Sequence, residues 1–459
     1  MRRQGRRPLG ADVESADQPP STHELSSNAA YNGARRVLDG NWTGSSTVPS
    51  RALYPHQWSW DSAFIAIGLR HHAPVRAQRE LETLLTAQWA DGRIPHIVFN
   101  PTVPLGAYFP SPDFWRSSSA GDLAGAPTAV ETSGIVQPPV HALAALLVHE
   151  ADPAESERRG FLPHVYPRLV AWQRYLTERR DLGGRGLASI VHPWESGMDN
   201  SPCWDAPLSR VEPAARGTFQ RADLDHGCPA DRPTDLDYCR YVRLAAAYRD
   251  QGYADGPDTA LFAVEDPAFN ALLIASEHAL AGIATAIGAD PSDHLVRGEQ
   301  LTTAFIKRLW NEDAGLFLCQ DVISNEPIRE RGACGLLPLI LPGLPDEVVS
   351  SLVTTLGGEH FGLGTTTRMA PSYDLRGAAF DPARYWRGPA WFNVNWLLER
   401  GLRQHGATAA ADALADTMLA TAVSSGFAEY VDPVSGEARG SRDFSWTAAL
   451  VMDLAVRSR

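Results

Sequence analysis

Residues 54–69 read Tyr-Pro-His-Gln-Trp-Ser-Trp-Asp-Ser-Ala-Phe-Ile-Ala-Ile-Gly-Leu. The second half is an apolar helix, and Ser59 or Asp61 is placed to cap it. Capping accounts for one polar residue only. It leaves Tyr54, His56, Gln57, Trp58 and Trp60 crowded just ahead of the helix. Such a density of rings and hydrogen-bonding groups suits a sugar: aromatic faces meet its C–H faces, and Asp, Gln and His meet its hydroxyls. A polar, aromatic loop feeding an apolar helix is the unit from which the rest of the chain is read.

Helical periodicity continues in both directions. Helices are predicted over 24–39, 60–69, 75–90, 137–149, 163–180, 235–250, 267–287, 291–309, 332–340, 345–356, 389–404, 409–424 and 444–456, with few convincing strands. Short turns at 71–74 and 405–408 contrast with long loops over 91–135, 183–234, 311–331, 357–388 and 426–443. Loops of that length in a compact protein usually carry function. The alternation fits an all-α fold of two concentric rings of helices, with the long loops gathered at one end. No repeat of fixed period supports an α-solenoid.

Composition narrows the partners. The 459 residues carry a formal net charge of −13 and offer no basic stripe for phosphates, so nucleic acid is excluded as a partner. Cationic side chains are almost all Arg; Lys307 is the one lysine. Five cysteines, at 203, 228, 239, 319 and 334, include no Cys-x-x-Cys pair. That predicts neither a zinc cluster nor a disulfide framework, and a cytoplasmic setting. No nucleotide loop or metal motif is visible, so no cofactor is expected. No run of about 18 apolar residues predicts a membrane span. Residues 1–22, Arg-rich and then acidic and Pro/Ser-rich, read as a disordered tail before a single domain over 23–459.

Three further stretches carry chemistry. His192–Pro202, His-Pro-Trp-Glu-Ser-Gly-Met-Asp-Asn-Ser-Pro, is broken by Pro193, Gly197 and Pro202 and sets Glu195 and Asp199 beside Trp194. An aromatic next to a carboxyl group is what a sugar-cleaving site needs; the alternative is a surface loop whose acids cap a helix. Residues 385–396, Tyr-Trp-Arg-Gly-Pro-Ala-Trp-Phe-Asn-Val-Asn-Trp, put Tyr385, Trp386 and Arg387 at the mouth of another helix. Gly388 there allows close backbone approach, so its N–H could face an anion. Residues 426–433, Gly-Phe-Ala-Glu-Tyr-Val-Asp-Pro, hold Glu429 between Phe427 and Tyr430. A carboxylate among rings is costly unless used, and partial desolvation raises its basicity.

Together these four segments resemble glycoside hydrolase family 63, most closely its bacterial mannosylglycerate and glucosylglycerate hydrolases, over residues 54–450. The resemblance implies an (α/α)6 barrel, a six-hairpin toroid, and hydrolysis with inversion at the anomeric carbon. It implies Asp199 as general acid and Glu429 as general base. Trp60, Asp61 and Gln137 would hold the sugar, and Tyr385, Trp386 and Gly388 would lie near the glycerate. An inverting site needs two carboxyl groups about 6.5–9.5 Å apart with a water between. Loops from opposite sides of a ring provide that gap, whereas neighbours such as Glu195 and Asp199 do not. Glu195 is expected to accept from a sugar hydroxyl or to support Asp199 by its charge; the reverse assignment, with Glu195 as the acid, is the rival.

A glycerate group would bring an anion into an acidic protein and requires a cation, for which Arg is best suited. Arg232 is the first candidate, with Arg221 and Arg387 as competitors; a surface salt bridge is the alternative for each. The stretch 91–135 is either a lid whose Tyr108 reaches the ligand or a loop packed permanently on the barrel. The partner expected is thus a small anionic sugar, and the resemblance is compatible with a homo-oligomer. Rival functions are a trehalase or other α-glucosidase on the same barrel, a sugar epimerase, and a sugar-binding protein without catalysis.

Overall fold

The computed structural model describes residues 22–224 and 229–457. The tail expected over residues 1–22 therefore lies, up to residue 21, outside the described residues, as does Cys228. Among the described residues the longer helices are α1 Thr22–Gly40, α2 Ser59–Leu69, α3 Pro74–Thr86, α4 His141–Ala151, α5 Pro153–Arg159, α6 Phe161–Arg179, α7 Asp235–Asp250, α8 Pro267–Ala286, α9 Ser292–Leu309, α10 Asp346–Gly357, α11 Phe392–Gln404, α12 Thr408–Ser425 and α13 Ser445–Arg457.

Side-by-side packing closes a ring. Helix α2 packs on α4, α4 on α8, α8 on the segment 333–340, that segment on α11, α11 on α13, and α13 back on α2. Outer helices cover the inner ones: α3 packs on α2, α6 on α4, α9 on α8 and α12 on α11, while α1, from the other end of the chain, packs on α13. This is the (α/α)6 toroid, and its residues explain the sorting. Every residue of α2 is buried, and 16 of α8 are, because a helix apolar on all faces has no side to give to water. Helices α3 and α9 bury one stripe and expose the other, as outer-ring helices must. Helix α8 is long and apolar enough to cross a membrane by length and composition, yet it is an inner-ring helix. Its apolar surface is spent on the barrel core.

Differences from the sequence reading have local causes. The helix predicted from 137 starts at His141, because Pro138 and Pro139 cannot supply helical N–H groups. The sixth inner position is two 3-10 turns, Ala333–Gly335 and Leu337–Ile340, separated at Leu336 with Pro338 early in the second, where an α-helix was predicted. The short helix α5, capped by Asp152, was not predicted. Neither Ser59 nor Asp61 caps α2: Trp58 is the N-cap and makes no side-chain bond, and the Ser59 hydroxyl lies 2.9 Å from His141 Nε2. The free N–H of Trp60 instead donates to Gln137 Oε1 at 3.1 Å. The cap thus comes from a neighbouring loop, which joins two inner helices at the loop-bearing end of the barrel and leaves Asp61 uncommitted.

Small strands stiffen that end. Gln57–Trp58 pairs antiparallel with Ile97–Val98. Ala390–Trp391, Tyr430–Val431 and Ala438–Arg439 form a three-stranded sheet with Tyr430–Val431 central. The residue just before that central strand is Glu429.

Candidate active site

The loops at this end surround a cavity open to solvent, with about 770 Å³ of atom-free space when the open solvent at its mouth is included. Asp199 and Glu429, 230 positions apart in sequence, both line it. So do Tyr54, Trp58, Trp60, Asp61, Tyr108, Gln137, Trp194, Arg232 and Tyr385. Four carboxyl groups, Asp61, Asp199, Asp223 and Glu429, and a ring of aromatics thus face one space, with Arg232 among them.

Glu429 is buried and heavily hydrogen-bonded. The Tyr54 and Tyr385 hydroxyls reach its Oε1 at 3.0 and 3.2 Å, and the Ser441 N–H donates to Oε2 at 3.1 Å. Arg232 Nη1 donates to the Tyr54 hydroxyl at 3.2 Å, and its guanidinium lies over the Tyr385 ring. Burial pushes the Glu429 carboxyl above its ordinary value, while Arg232 and the three donors pull it back. The donors favour the ionised form against burial, and a carboxylate whose basicity is raised in this way meets the requirement for a base. Gly440 is needed beside it: a Cβ there would stand 2.5 Å from Glu429 Oε2.

Asp199 has the opposite surroundings. Its own backbone N–H is the hydrogen bond its carboxyl makes among the described residues, and burial raises it to about 7. Glu429 adds to the rise and Arg232 opposes it. A carboxyl group left protonated near neutrality and facing a cavity is suited to give a proton. Its backbone is held firmly. The Tyr241 hydroxyl donates to Asp199 O at 3.0 Å, Asn200 Nδ2 donates to Tyr385 O at 3.0 Å, and Trp204 Nε1 donates to Met198 O at 2.8 Å. Asp61, in the first turn of α2, is pushed well above the usual carboxylate range by burial and then by the charges of Glu429 and Asp199.

Gly197 fixes how the acid loop meets the sugar-facing wall. Its φ of 69° is in the left-handed region, and an added Cβ would lie 2.5 Å from the Trp60 ring. Gly197→Ala is expected to destabilise the fold by about 1–3 kcal/mol and to weaken substrate binding, because the rigid indole must move. Urea unfolding together with KM checks both effects; unchanged values in the two would contradict this packing.

A family model described as the mannosylglycerate hydrolase MGH1-like glycoside hydrolase domain matches residues 54–447. The chain belongs to this family. It is a glycoside hydrolase. A mannosylglycerate hydrolase of Rubrobacter radiotolerans is 41% identical over 92% of this chain and 96% of its own length. A glucosylglycerate hydrolase of Mycolicibacterium hassiacum is 37% identical over 94% of this chain and 97% of its own. The crystal structure of the family 63 mannosylglycerate hydrolase of Thermus thermophilus in complex with Tris and D-glycerate superimposes with a TM-score of 0.84. It is 39% identical and covers 92% of this chain and 99% of that one. The family resemblance carried by the four segments is thereby confirmed.

Four residues expected at the ligand lie outside the cavity lining. Gln57 turns inward, its Nε2 donating to Ser62 Oγ at 3.0 Å and Glu80 O at 3.1 Å, because strand alternation sends it opposite to its neighbours. Glu195 is fully buried and held by both terminal nitrogens of Arg180 at 2.7 Å each. It also accepts from the N–H groups of Val136 and Val191, so it ties the acid loop to the backbone beside Gln137. The charges acting on Asp199 come from Arg232 and Glu429, not from Glu195. Trp386 stacks on Trp391 at 3.7 Å between centroids and is core. The Gly388 N–H donates to Ser372 Oγ at 3.1 Å and faces no open site; a Cβ there would meet Asp381 O at 2.6 Å.

The cation candidates separate just as clearly. Arg221 is bound to Asp223 and Asp235, and Arg387 to Asp205. Arg232 forms no ion pair among the described residues and lines the cavity. Sequence reasoning missed His96, Tyr238 and Trp446 as wall residues. Trp446 sits in the first turn of α13, just after Phe444, a repeat of the aromatic-then-helix pattern of residues 54–69 that offered a usable signal. His96 and Tyr238 gave none.

Proposed function

We propose that the protein hydrolyses the α-glycosidic bond joining glucose or mannose to glycerate, with inversion. Asp199 protonates the departing glycerate oxygen, and Glu429 takes a proton from a water that attacks the opposite face of the sugar. The observation that carries this reading is the pairing within one cavity of a proton-rich, sparsely bonded Asp199 with a donor-ringed Glu429. Trp60, Trp194 and Trp58 supply apolar faces for the sugar ring. Gln137, with its oxygen taken by Trp60 N–H, keeps its amide N–H2 for a sugar hydroxyl. Asp61, whose proton is favoured by burial and by the charges of Glu429 and Asp199, can donate as well as accept. Tyr108, carried on the 91–135 loop, closes the remaining side.

Arg232 supports glycerate over a second sugar. The wall holds four acids, and an anionic aglycone is tolerated there only against a cation that has no ion-pair partner among the described residues. Homologues named for both mannosylglycerate and glucosylglycerate support this substrate class. Arg232→Ala is expected to raise KM for glucosylglycerate by roughly 10- to 100-fold, the worth of a charge-assisted bond, and far less for trehalose or a methyl glucoside. The assays belong on the pH plateau, since loss of the guanidinium also raises Glu429. Side-by-side rates on glucosylglycerate, mannosylglycerate and trehalose test the substrate class. An equal penalty on anionic and neutral substrates would remove the carboxylate contact. The four described cysteines are unbridged, in keeping with a cytoplasmic enzyme.

A further inference from the structure

Cys203, Cys319 and Cys334 share no sequence motif, yet their sulfur atoms all lie within 4.8 Å of one another in the buried core. Cys319 and Cys334 are 3.8 Å apart, sulfur to sulfur. Four-coordinate zinc–thiolate bonds of about 2.3 Å set neighbouring sulfurs about 3.8 Å apart, so Cys319 and Cys334 already have the spacing of two thiolates on one ion, and Cys203 is within 4.8 Å of both. A disulfide needs about 2.05 Å and would require these two to move together.

Three features separate the trio from ordinary apolar packing. Each sulfur comes from a different part of the fold: the turn after Asp199, the strand Cys319–Asp321, and the 3-10 turn Ala333–Gly335 in the inner ring. Gly332 keeps the space open, since a Cβ there would stand 3.0 Å from both Cys203 and Cys334 sulfurs. Close by, the fully buried Asp266 gives Oδ1 to the Ala268 N–H, while its Oδ2 has no hydrogen-bond partner. Asp266 is within electrostatic range of Cys203 and Cys334. Three buried sulfurs converging from separate segments beside an orphan carboxyl oxygen form a donor set that suits a thiophilic cation.

We propose that Cys203, Cys319 and Cys334 form a three-thiolate site for a thiophilic d10 ion such as Zn2+. The ion would displace the three thiol protons to solvent and form three metal–sulfur bonds, leaving a complex of net charge −1 with Asp266 neutral beside it. It would tie the acid loop, four residues beyond Asp199, to the inner ring. This site lies apart from the sugar cavity and is independent of the proposed reaction.

The test uses full-length protein refolded with Cd2+, which reports each bound thiolate as an ultraviolet charge-transfer band. A Cys228→Ser/Cys239→Ser variant, which keeps the trio, should bind one Cd2+ per chain with a band of three-thiolate intensity. Cys319→Ser should weaken binding at least tenfold and lower the band by a third. Cys319→Ala repeats the test should the serine variant fold poorly. Fewer than one ion per chain in the Cys228→Ser/Cys239→Ser variant, binding unchanged by Cys319→Ser and Cys319→Ala, or a Cys319–Cys334 disulfide in the protein after reductant-free purification would each overturn the proposal.

Discussion

Glu429→Gln lowers kcat by a factor of about 100 to 10,000 if this residue is the base, because an amide cannot accept the proton of the attacking water. The substitution is nearly isosteric, but it places an N–H2 where three donors now converge on two carboxylate oxygens. Some loss of stability therefore accompanies it, and thermal unfolding separates that loss from the chemical one. The distinguishing assay uses α-glucosyl fluoride, whose leaving group needs no proton. The Glu429→Gln enzyme stays slow on the fluoride, since water must still be activated. A variant turning over both substrates at near-normal rates would remove Glu429 from the reaction.

Asp199→Asn gives the complementary result. Loss of the acid costs a similar factor on glucosylglycerate, whose alkoxide leaves poorly without a proton, and much less on the fluoride. Folding is unaffected, because no other side chain among the described residues bonds the Asp199 carboxyl. The pH profile follows from the same surroundings. Asp199 must carry its proton, and burial holds it to about 7, so activity falls as pH rises through neutrality. Glu429 must have lost its proton, and its raised value puts the acid limb above the ordinary glutamate range. The result is a bell with its alkaline limb near 7, which Asp199→Asn abolishes. A wild-type rate flat from pH 6 to 9 would contradict the assignment of Asp199.

The barrel was legible because its inner helices are apolar on nearly every face and its outer ones on a single stripe. Periodicity therefore located α2, α8, α12 and α13 to within a few residues. It failed where proline decided the backbone: Pro138 and Pro139 delay α4, and Pro338 turns the sixth inner position into 3-10 turns. At the site, the motifs brought the two acids, the sugar-facing tryptophans and Arg232 to one cavity. They misplaced Gln57, Glu195, Trp386 and Gly388, because a motif says which residues travel together and not which way each points. Glu195 shows the difference most clearly. Its carboxylate beside Trp194 has the composition of a sugar site, but Arg180, fifteen positions earlier, claims it. The three-cysteine cluster was invisible for the same reason, since only the fold brings positions 203, 319 and 334 together.

Inversion is where the whole arrangement is exposed to a single measurement. Proton NMR on fresh glucosylglycerate and enzyme, followed before mutarotation equilibrates the sugar, reads the first anomer released. Two acids acting on opposite faces through a water give β-glucose first. Early α-glucose would mean retention, and Asp199 and Glu429 could not then be the acid and base described.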